Sequence, residues 1–451
     1  MAKNKKSFRV GRVRGDLRGK VWYLTYYDQG SRHRPRIGPD IDEARRHAAE
    51  VNARLENGAP VSSSFQSIKI AELQERWLDH HESVARSSLK TIARYRSATN
   101  HLIVFLTDSR VPASTGQFRV EHAELFVKHL RAVAVSPNGH PHSEKRPLRD
   151  KGLRYILEVC RSMFHFAFQR RHLPPYADNP FTALQIDKIP TEDSKPIELF
   201  SDVQEQQFLD AADDWQFPII LMLMLTGVRP GELSHLFWPD DIDESNQAVL
   251  IRNRPQLGWQ VKTRRERMIP LHPVLCRMIE SCTINRQSGT LFQRRRFTNA
   301  EPPALAGSSV QVLEKELESR VRQREVKLEE PLSRVERQQL CRTVWRDAGM
   351  IKSDYIRTSF IQICSKAQLV GFTSPKMLRH LFATTLQEGR VDPLIRNELM
   401  GHSTKAKSRS NLLGMTATYT HTRPATMRTQ LEHALKGRVA IAVAEEWLAN
   451  R

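Results

Sequence analysis

Hydrophobic positions alternate at the start of the chain and take on helical periodicity further along. Residues 21–27 (VWYLTYY) are rich in aromatic and β-branched side chains, which is typical of a strand. Residues 8–13 and 33–37 are further candidate strands, and Asp28, Gln29 and Gly30 supply a turn before the last of them. Residues 42–55 place alanine, valine and leucine on one helical face. The pattern therefore predicts a small sheet with one helix over residues 1–58.

The middle of the chain has the pattern of a helical bundle. Over residues 68–182 the hydrophobic positions recur every three to four residues, as on amphipathic helices. Small and polar residues at 58–67 precede this segment, and a polar stretch with prolines follows it at 176–195. These two linkers predict a second domain at 68–182 and a third at 196–451.

The third domain combines helices with a small sheet. Residues 217–225 (FPIILMLML) contain no polar position, which predicts a buried helix that is too short to cross a bilayer. Residues 241–252 and 256–271 have strand patterns, with Lys262 in the second of them near the tip of a hairpin. The expected fold class is mainly α with small antiparallel β-sheets (α+β).

The charge of the chain indicates its type of partner. Its 451 residues include 70 Lys and Arg against 50 Asp and Glu, a formal net charge of +20. Such an excess favours a polyanion, most simply nucleic acid, over a membrane surface, for which no long apolar run exists. The N-terminus lacks a signal-peptide core, and the cysteines lack zinc or disulfide spacing, so we expect a cytoplasmic protein. The five cysteines are Cys160, Cys276, Cys282, Cys341 and Cys364.

The candidate chemistry lies in the third domain, where basic side chains accompany one late tyrosine. Arginines can clamp the non-bridging oxygens of a phosphodiester, a tyrosine can attack phosphorus, and a lysine can protonate a leaving oxygen. This chemistry requires no metal or other cofactor. The candidate residues are Arg229, Lys262, Lys376, Arg379, His402 and Tyr419.

Two further residues are expected to support this set. Glu232 lies three positions after Arg229, where it can hold the guanidinium on the first turn of a helix. The alternative is an ordinary surface salt bridge, but the apolar helix before Arg229 favours an arginine held for phosphate. His380, next to Arg379, is interpreted as a packing or supporting residue.

The motifs that carry these residues resemble, in order, those of the tyrosine recombinase (phage integrase) family. They are TGVRPGEL, the lysine of QVKTRRERMIPL, LRHLFATTL, LMGH and TATYTHT. The resemblance is close in the C-terminal half and architectural in the N-terminal half. It implies an N-terminal arm-type DNA-binding domain of a sheet and a helix, a helical core-binding (SAM-like) domain and a C-terminal catalytic domain.

The resemblance also implies a function and a role for each residue. The chain would be a site-specific integrase of a mobile element that cuts and rejoins double-stranded DNA through a 3′-phosphotyrosine intermediate. Tyr419 would be the nucleophile, Arg229 and Arg379 the phosphate clamps, and Lys262 the general acid, with His402 bonded to the scissile phosphate. The implied partners are a homo-tetramer on synapsed DNA and accessory DNA-bending or directionality proteins.

Three departures from the family pattern leave alternatives open. Lys376 stands where most relatives have histidine, and type IB topoisomerases have lysine at the same position. DNA relaxation and a non-catalytic role as a DNA-binding regulator are therefore alternative functions. An insertion at 405–414 lengthens the tether of Tyr419, or delivers it to a neighbouring subunit. A charged, helix-prone insertion at 308–350 has a solvated face or a surface for protein contacts.

The apolar tail after Gly437 also leaves two alternatives open. It packs on its own domain or on the next protomer.

Basic residues outside the catalytic set are candidates for DNA contacts, with a solvated basic surface as the alternative. They are Arg32, Arg34 and Arg36 in the first domain, Lys90 and Arg94 in the helical domain, and Arg264 at the hairpin tip.

Overall fold

The structure is a computed structural model that describes residues 6–28, 31–56, 66–136, 142–174, 177–191, 198–297, 301–402 and 422–451. The chain divides into two compact units, Met1–Lys195 and Pro196–Arg451. Helices predominate and the sheets are small and antiparallel, which confirms the predicted fold class. Across the described residues, the structure contains no helix with the length and hydropathy of a membrane span.

A five-stranded antiparallel sheet and one helix form the start of the first unit. Strand β3 is central, since it pairs with β2, β4 and β5, and β1 pairs with β2. The predicted strands at 8–13 and 33–37 are each divided into two strands, because a turn at 11–12 and the unpaired residues 34–35 interrupt the pairing. The elements are β1 (Ser7–Val10), β2 (Val13–Arg18), β3 (Val21–Asp28), β4 (Ser31–His33), β5 (Arg36–Gly38) and α1 (Ile41–Glu56).

A helical bundle with its own core completes the first unit. Ser88 caps α3 by accepting a hydrogen bond from the backbone N–H of Thr91 (3.2 Å). Aromatic residues fill the core, including Phe118, Phe126 and Phe164. The helices are α2 (Ile70–Asp79), which continues into a π-helical turn (His80–Val84), α3 (Leu89–Asp108), α4 (Val120–Ala132) and α5 (Asp150–Gln169); β6 (Ala134–Val135) pairs with β7 (Arg146–Pro147).

The second unit is built around α7 (Gln216–Thr226), all of whose residues are buried. This helix is surrounded on its different sides by other helices of the unit, which explains the absence of a polar face in its sequence. It packs against α9 (Pro273–Thr283), α12 (Ser353–Lys366) and α13 (Lys376–Glu388). The unit also contains α6 (Asp202–Asp210), α8 (Pro230–Ser234) and α14 (Pro393–Met400).

The sheet of the second unit is shorter than its sequence pattern predicts. Strand β10 (Ala248–Ile251) pairs with β9 (Ile242–Asp243) and with β11 (Arg267–Pro270). The prediction of a strand from residue 256 is wrong, because 252–266 is a loop that contains Lys262 in a turn. In this loop the backbone N–H of Val261 donates to the Asn253 side chain (2.9 Å) and not to a neighbouring strand.

The charged segment at 308–350 forms a helical hairpin with its own apolar core. Helix α10 (Val310–Leu328) packs against α11 (Arg334–Asp347), and Ser333 caps α11 through a reciprocal hydrogen-bond pair with Glu336. One side is buried and the other is charged and exposed, as the solvated-face interpretation expects. The buried side chains of this core, called the hairpin core below, are Phe237, Leu257, Leu313, Leu317, Val321, Cys341, Val344, Trp345 and Ala348. Next to it, β8 (Phe237–Trp238) pairs with β12 (Gly289–Thr290).

The apolar tail packs on its own domain. After α15 (Pro424–Leu435), helix α16 (Val439–Ala449) contacts α6, α7 and α9, and Trp447 stacks on Phe217 with ring centroids 5.0 Å apart. Buried Glu205 accepts hydrogen bonds from the Arg438 guanidinium and from the backbone N–H of Ala440 (3.1 Å) at the start of this helix. A buried carboxylate therefore fixes the N-terminal end of α16.

We predict that Arg438→Ala lowers the free energy of unfolding of the second unit by about 3 kcal/mol, because it leaves buried Glu205 without its cation. Chemical denaturation of the full chain measures the change. Arg277→Ala is the matched control, since it removes an arginine–glutamate pair with Glu445 on the same helix, in which both side chains are about half exposed. Equal effects of the two substitutions would contradict the role assigned to Glu205.

Candidate active site

The end of α7 positions the first candidate arginine. Gly227 ends the helix at φ +61°, and a Cβ at this position would lie 2.3 Å from Cδ1 of Phe382, so only glycine fits. Arg229 then caps α8. Its backbone N–H donates to Oε2 of Glu232 (3.0 Å), and its Nη1 donates to Oε1 of the same carboxylate (2.6 Å). Glu232 therefore holds both the backbone and the guanidinium of Arg229.

Glu232 is also bound by a third arginine, which sequence reasoning missed. Arg267 on β11 is buried, donates Nη2 to Oε2 of Glu232 (2.7 Å), and donates Nε to the carbonyl of Leu399 (3.0 Å). It thereby joins α8, β11 and the end of α14. Strand alternation provides a signal for it, because Arg267 has the same parity as buried Ile269, although within TRRER it resembles one more surface cation.

The Glu232 carboxylate is strongly stabilised in its charged form. Burial by itself would raise the pKa of Glu232. Hydrogen bonding to Arg267 and the charge of that residue, followed by the backbone N–H and charge of Arg229, hold the pKa below its usual range. The carboxylate is therefore ionised at neutral pH and can order two guanidinium groups.

Arg379 lies on the buried face of α13. Its Nη1 donates to the carbonyl of Gly227 (2.5 Å), and its Nη2 donates to the carbonyl of Met400. These carbonyls are at the ends of α7 and α14, where helices lack partners for their last acceptors. Burial, followed by the nearby charge of Arg229, lowers the pKa of Arg379 to about 10, so the side chain stays charged at neutral pH.

His402 lies next to the arginines. Gly401 ends α14 at φ +58°, and a Cβ there would lie 2.9 Å from Nη1 of Arg267, so the backbone passes directly over that guanidinium. His402 itself is exposed, but desolvation of its ring lowers its pKa, and the charges of Arg379, Arg229 and Arg267 lower it further. The imidazole is therefore neutral at physiological pH.

The remaining candidates are not joined to this group by contacts between described residues. Lys262 is exposed in the loop between β10 and β11, and Lys376 is exposed on the first turn of α13. Burial and the charge of Lys376 lower the pKa of His380, whose Nε2 is buried and has no hydrogen-bond partner within the described ranges. Tyr419 and the insertion at 405–414 lie outside the described residues. The structure thus brings together Arg229, Glu232, Arg379 and His402, and adds Arg267.

The register of the N-terminal sheet separates its arginines by face. Tyr27 is opposite Arg32 and Tyr23 is opposite Arg36, and residues directly opposite share a face. Arg34 lies between these strands, is half-buried, and has a buried Nε. The helix α1 covers the other face through Val13, Leu24 and Tyr26. The arginines of the open face, called the basic sheet face below, are Arg9, Arg14, Arg18, Arg32 and Arg36.

The other candidates for DNA contact are exposed. Lys90 and Arg94 are on α3, and the Arg94 guanidinium lies 4.6 Å from the centre of the Tyr155 ring. Arg264 is in the same loop as Lys262 and has a left-handed backbone conformation (φ +58°).

Comparisons with known proteins agree with the motifs. A sequence model described as the phage integrase family matches residues 199–426. A variant fragment of the Tn1549 transposon integrase, solved with transposon right end DNA, aligns with a TM-score of 0.50 at 17% identity, over 81% of this chain and 99% of that one. A lambda integrase dimer bound to a COC′ core site aligns with a TM-score of 0.46 at 16% identity, over 89% and 94% of the two chains. No curated protein sequence matches the chain.

The fold and the arginine-rich site define an enzyme that breaks and rejoins DNA strands by transesterification. The chain belongs to the phage integrase family, the tyrosine recombinases, which confirms the prediction made from its motifs. Its function is site-specific recombination of DNA.

We predict that Glu232→Gln lowers the free energy of unfolding by about 2 to 3 kcal/mol at pH 7, because buried Arg267 and partly buried Arg229 lose their counter-charge. The folded pKa of Glu232 is depressed, so its contribution is complete above the unfolded pKa of about 4.3 and is lost as the pH falls through the folded pKa. The difference between wild type and variant should therefore shrink below about pH 4.

Denaturation curves at a series of pH values measure this difference. Glu280→Gln, at an exposed position on α9, is the control and should show no such narrowing. A difference that stays constant down to acid pH would mean that the Glu232 carboxylate is not stabilised by its arginines.

Proposed function

We propose that Arg229 and Arg379 clamp the scissile phosphate of DNA and that Tyr419 attacks it. One observation carries the proposal. Three guanidinium groups gather around a single carboxylate, Glu232, so the described centre has an excess of positive charge. A phosphodiester anion, and still more the pentacoordinate transition state, would neutralise that excess at a site already fixed by the fold.

The proposed reaction is a pair of transesterifications. The phenolic oxygen of Tyr419 forms a bond to phosphorus, the bond from phosphorus to the 5′ oxygen breaks, and the phenolic proton passes to a base or to solvent. Lys262 supplies the proton that the departing 5′ oxygen takes up. The 5′-hydroxyl of a partner strand then attacks the 3′-phosphotyrosine, displaces Tyr419 and returns a proton. The number of P–O bonds is unchanged, so no external energy source is needed.

Two further side chains complete the proposed phosphate site. The depressed pKa of His402 keeps its ring neutral at physiological pH, and the one remaining ring N–H donates a hydrogen bond to a non-bridging oxygen. Lys376 provides a cation in place of the usual histidine and makes a phosphate contact. Each of these groups acts on charge that develops in the transition state.

We further infer how the rest of the chain participates. Residues 1–58 are proposed as the arm-type DNA-binding domain and residues 68–182 as the core-binding domain that precedes the catalytic domain at 196–451. Recombination breaks four strands and each chain supplies one tyrosine, so four copies are required on two synapsed duplexes. The exposed arginines of the basic sheet face, interspersed with Tyr23 and Tyr27, support duplex DNA as the ligand of the first domain.

We predict that Tyr419→Phe abolishes strand cleavage and leaves DNA affinity within about twofold, because only the nucleophilic oxygen is removed. A nicked half-site should trap a covalent adduct with wild type on a denaturing gel and none with the variant. Tyr355→Phe, an exposed tyrosine of α12, is the control and should give normal adduct.

Strand joining by the Tyr419→Phe protein would refute the proposed nucleophile. Two further outcomes would identify the alternatives. A wild-type protein that shifts DNA without forming an adduct would be a regulator, and one that relaxes any supercoiled plasmid but does not recombine two sites would be a topoisomerase-like enzyme.

We predict that the double substitution Arg32→Ala and Arg36→Ala weakens binding to arm-type duplex DNA. The slope of log K against log[salt] should fall by about 1.8, because each phosphate that is no longer neutralised reduces it by about 0.9. Arg46→Ala with Arg54→Ala is the matched control, since it removes the same charge from α1, which covers the opposite face. Equal slopes for the two double variants would show that the basic sheet face makes no specific phosphate contacts.

A further inference from the structure

The inserted helical hairpin holds the loop that carries Lys262. The indole Nε1 of Trp345 on α11 donates a hydrogen bond to the carbonyl of Leu257 (2.9 Å), in a buried position. Two turns earlier on α11, Nε2 of Gln338 donates to the carbonyl of Gly258 (3.2 Å). Both acceptors are backbone atoms of the loop between β10 and β11, so the hairpin fixes the path of that loop.

Helix α11 also packs closely against the loop between β10 and β11. Leu257 is fully buried in the hairpin core. Gly258 has φ +67°, and a Cβ there would lie 2.9 Å from Sγ of Cys341. Helix α11 therefore lies directly against the loop backbone, and a larger residue at 258 would separate the two.

The same contacts extend to α8, which begins just after Arg229. The rings of Trp259 and His235 are stacked with centroids 3.6 Å apart, and Trp345 meets the His235 ring edge-on at 4.6 Å. Burial lowers the pKa of His235 to about 3, so its neutral Nδ1–H can donate to the carbonyl of Gly231 (2.7 Å). Trp345 thus contacts both the loop that leads to Lys262 and the end of α8.

We propose that Trp345 is a positioning residue for Lys262, and that the inserted hairpin is a platform that keeps this lysine in reach of the leaving 5′ oxygen. The inference rests on the proposed role of Lys262 as the general acid. Lys262 follows Leu257 by only a few residues, and the Val261 between them is buried, so a shift at Leu257 is transmitted to the lysine backbone. Misplacing a proton donor by a fraction of an ångström slows proton transfer.

The test compares two substrates on the full-length protein. One is a nicked half-site with the ordinary phosphodiester, and the other has sulfur in place of the bridging 5′ oxygen. A thiolate leaves without prior protonation, because thiols have a pKa of about 8.5. A defect in the general acid or in its positioning therefore disappears on the sulfur substrate, whereas a defect in folding or phosphate binding remains.

The variant is Trp345→Phe, which keeps an aromatic ring beside Phe237 and His235 but removes the N–H donor. We expect it to cleave the ordinary substrate about tenfold more slowly, a part of the roughly 100- to 10,000-fold contribution of a positioned proton donor. Cleavage of the sulfur substrate should equal wild type. The matched control is Trp215→Phe, which removes another indole donor to a backbone carbonyl, that of Gln293 (2.8 Å), away from this loop.

Two results would overturn the positioning role. Trp345→Phe could cleave the ordinary substrate as fast as Trp215→Phe, or it could be slow on both substrates to the same degree. Lys262→Ala is assayed in parallel to test the underlying assignment. If its defect persists on the sulfur substrate, Lys262 is not the general acid, and the proposed mechanism fails independently of the hairpin.

Gln338→Ala provides a second variant in case Trp345→Phe does not fold, as checked by thermal unfolding. Gln338 is half-buried and lies outside the hairpin core, and its replacement removes the hydrogen bond to Gly258. We expect the variant to cleave the ordinary substrate about threefold more slowly, which is a smaller share of the same proton-donor contribution. On the sulfur substrate its cleavage rate should equal that of wild type. Unchanged cleavage of the ordinary substrate would then count against the platform.

Discussion

The active centre depends on one buried carboxylate. Glu232 binds Arg229 within its own turn and Arg267 from β11, and Arg267 reaches on to the end of α14. Taking such charges out of water is unfavourable unless every group is paired, and a buried ion pair adds little to stability compared with apolar packing. We therefore interpret this arrangement as one that fixes position. It holds Arg229, the proposed phosphate ligand, at the start of a short helix.

Arginine, and not lysine, suits the buried positions for a physical reason. Arg379 has a pKa of about 10 even after burial and the repulsion of its neighbours, so it keeps its charge. A lysine in the same environment starts from a lower pKa and would keep its charge less securely. The planar guanidinium of Arg379 also donates hydrogen bonds to the carbonyls at the ends of α7 and α14, and these bonds fix its position. The two lysines, Lys262 and Lys376, are exposed, where an ammonium remains solvated.

Local patterns in the sequence were sufficient for most of the elements and for part of the site. The unbroken apolar run of α7, the cap at Ser88 and the three-residue spacing of Arg229 and Glu232 are all encoded within a few residues. Arg267 was missed because its partner Glu232 is 35 positions away. The strand predicted from residue 256 failed because Pro255, the left-handed Gly258 and the Asn253 side chain replace strand pairing with local hydrogen bonds.

The inserted hairpin shows the limit of local patterns most clearly. Its charged sequence indicates a solvated helix pair, and one face of the hairpin is exposed to solvent as expected. The other face receives Leu257, and the bond from Trp345 to that residue spans 88 positions of chain. A loop with so little strand pairing would otherwise sample many conformations, which is unfavourable for Lys262 in the role of proton donor that we propose for it. Because α11 supplies contacts that a neighbouring strand would otherwise provide, the backbone that leads to Lys262 has a defined path although the loop is irregular.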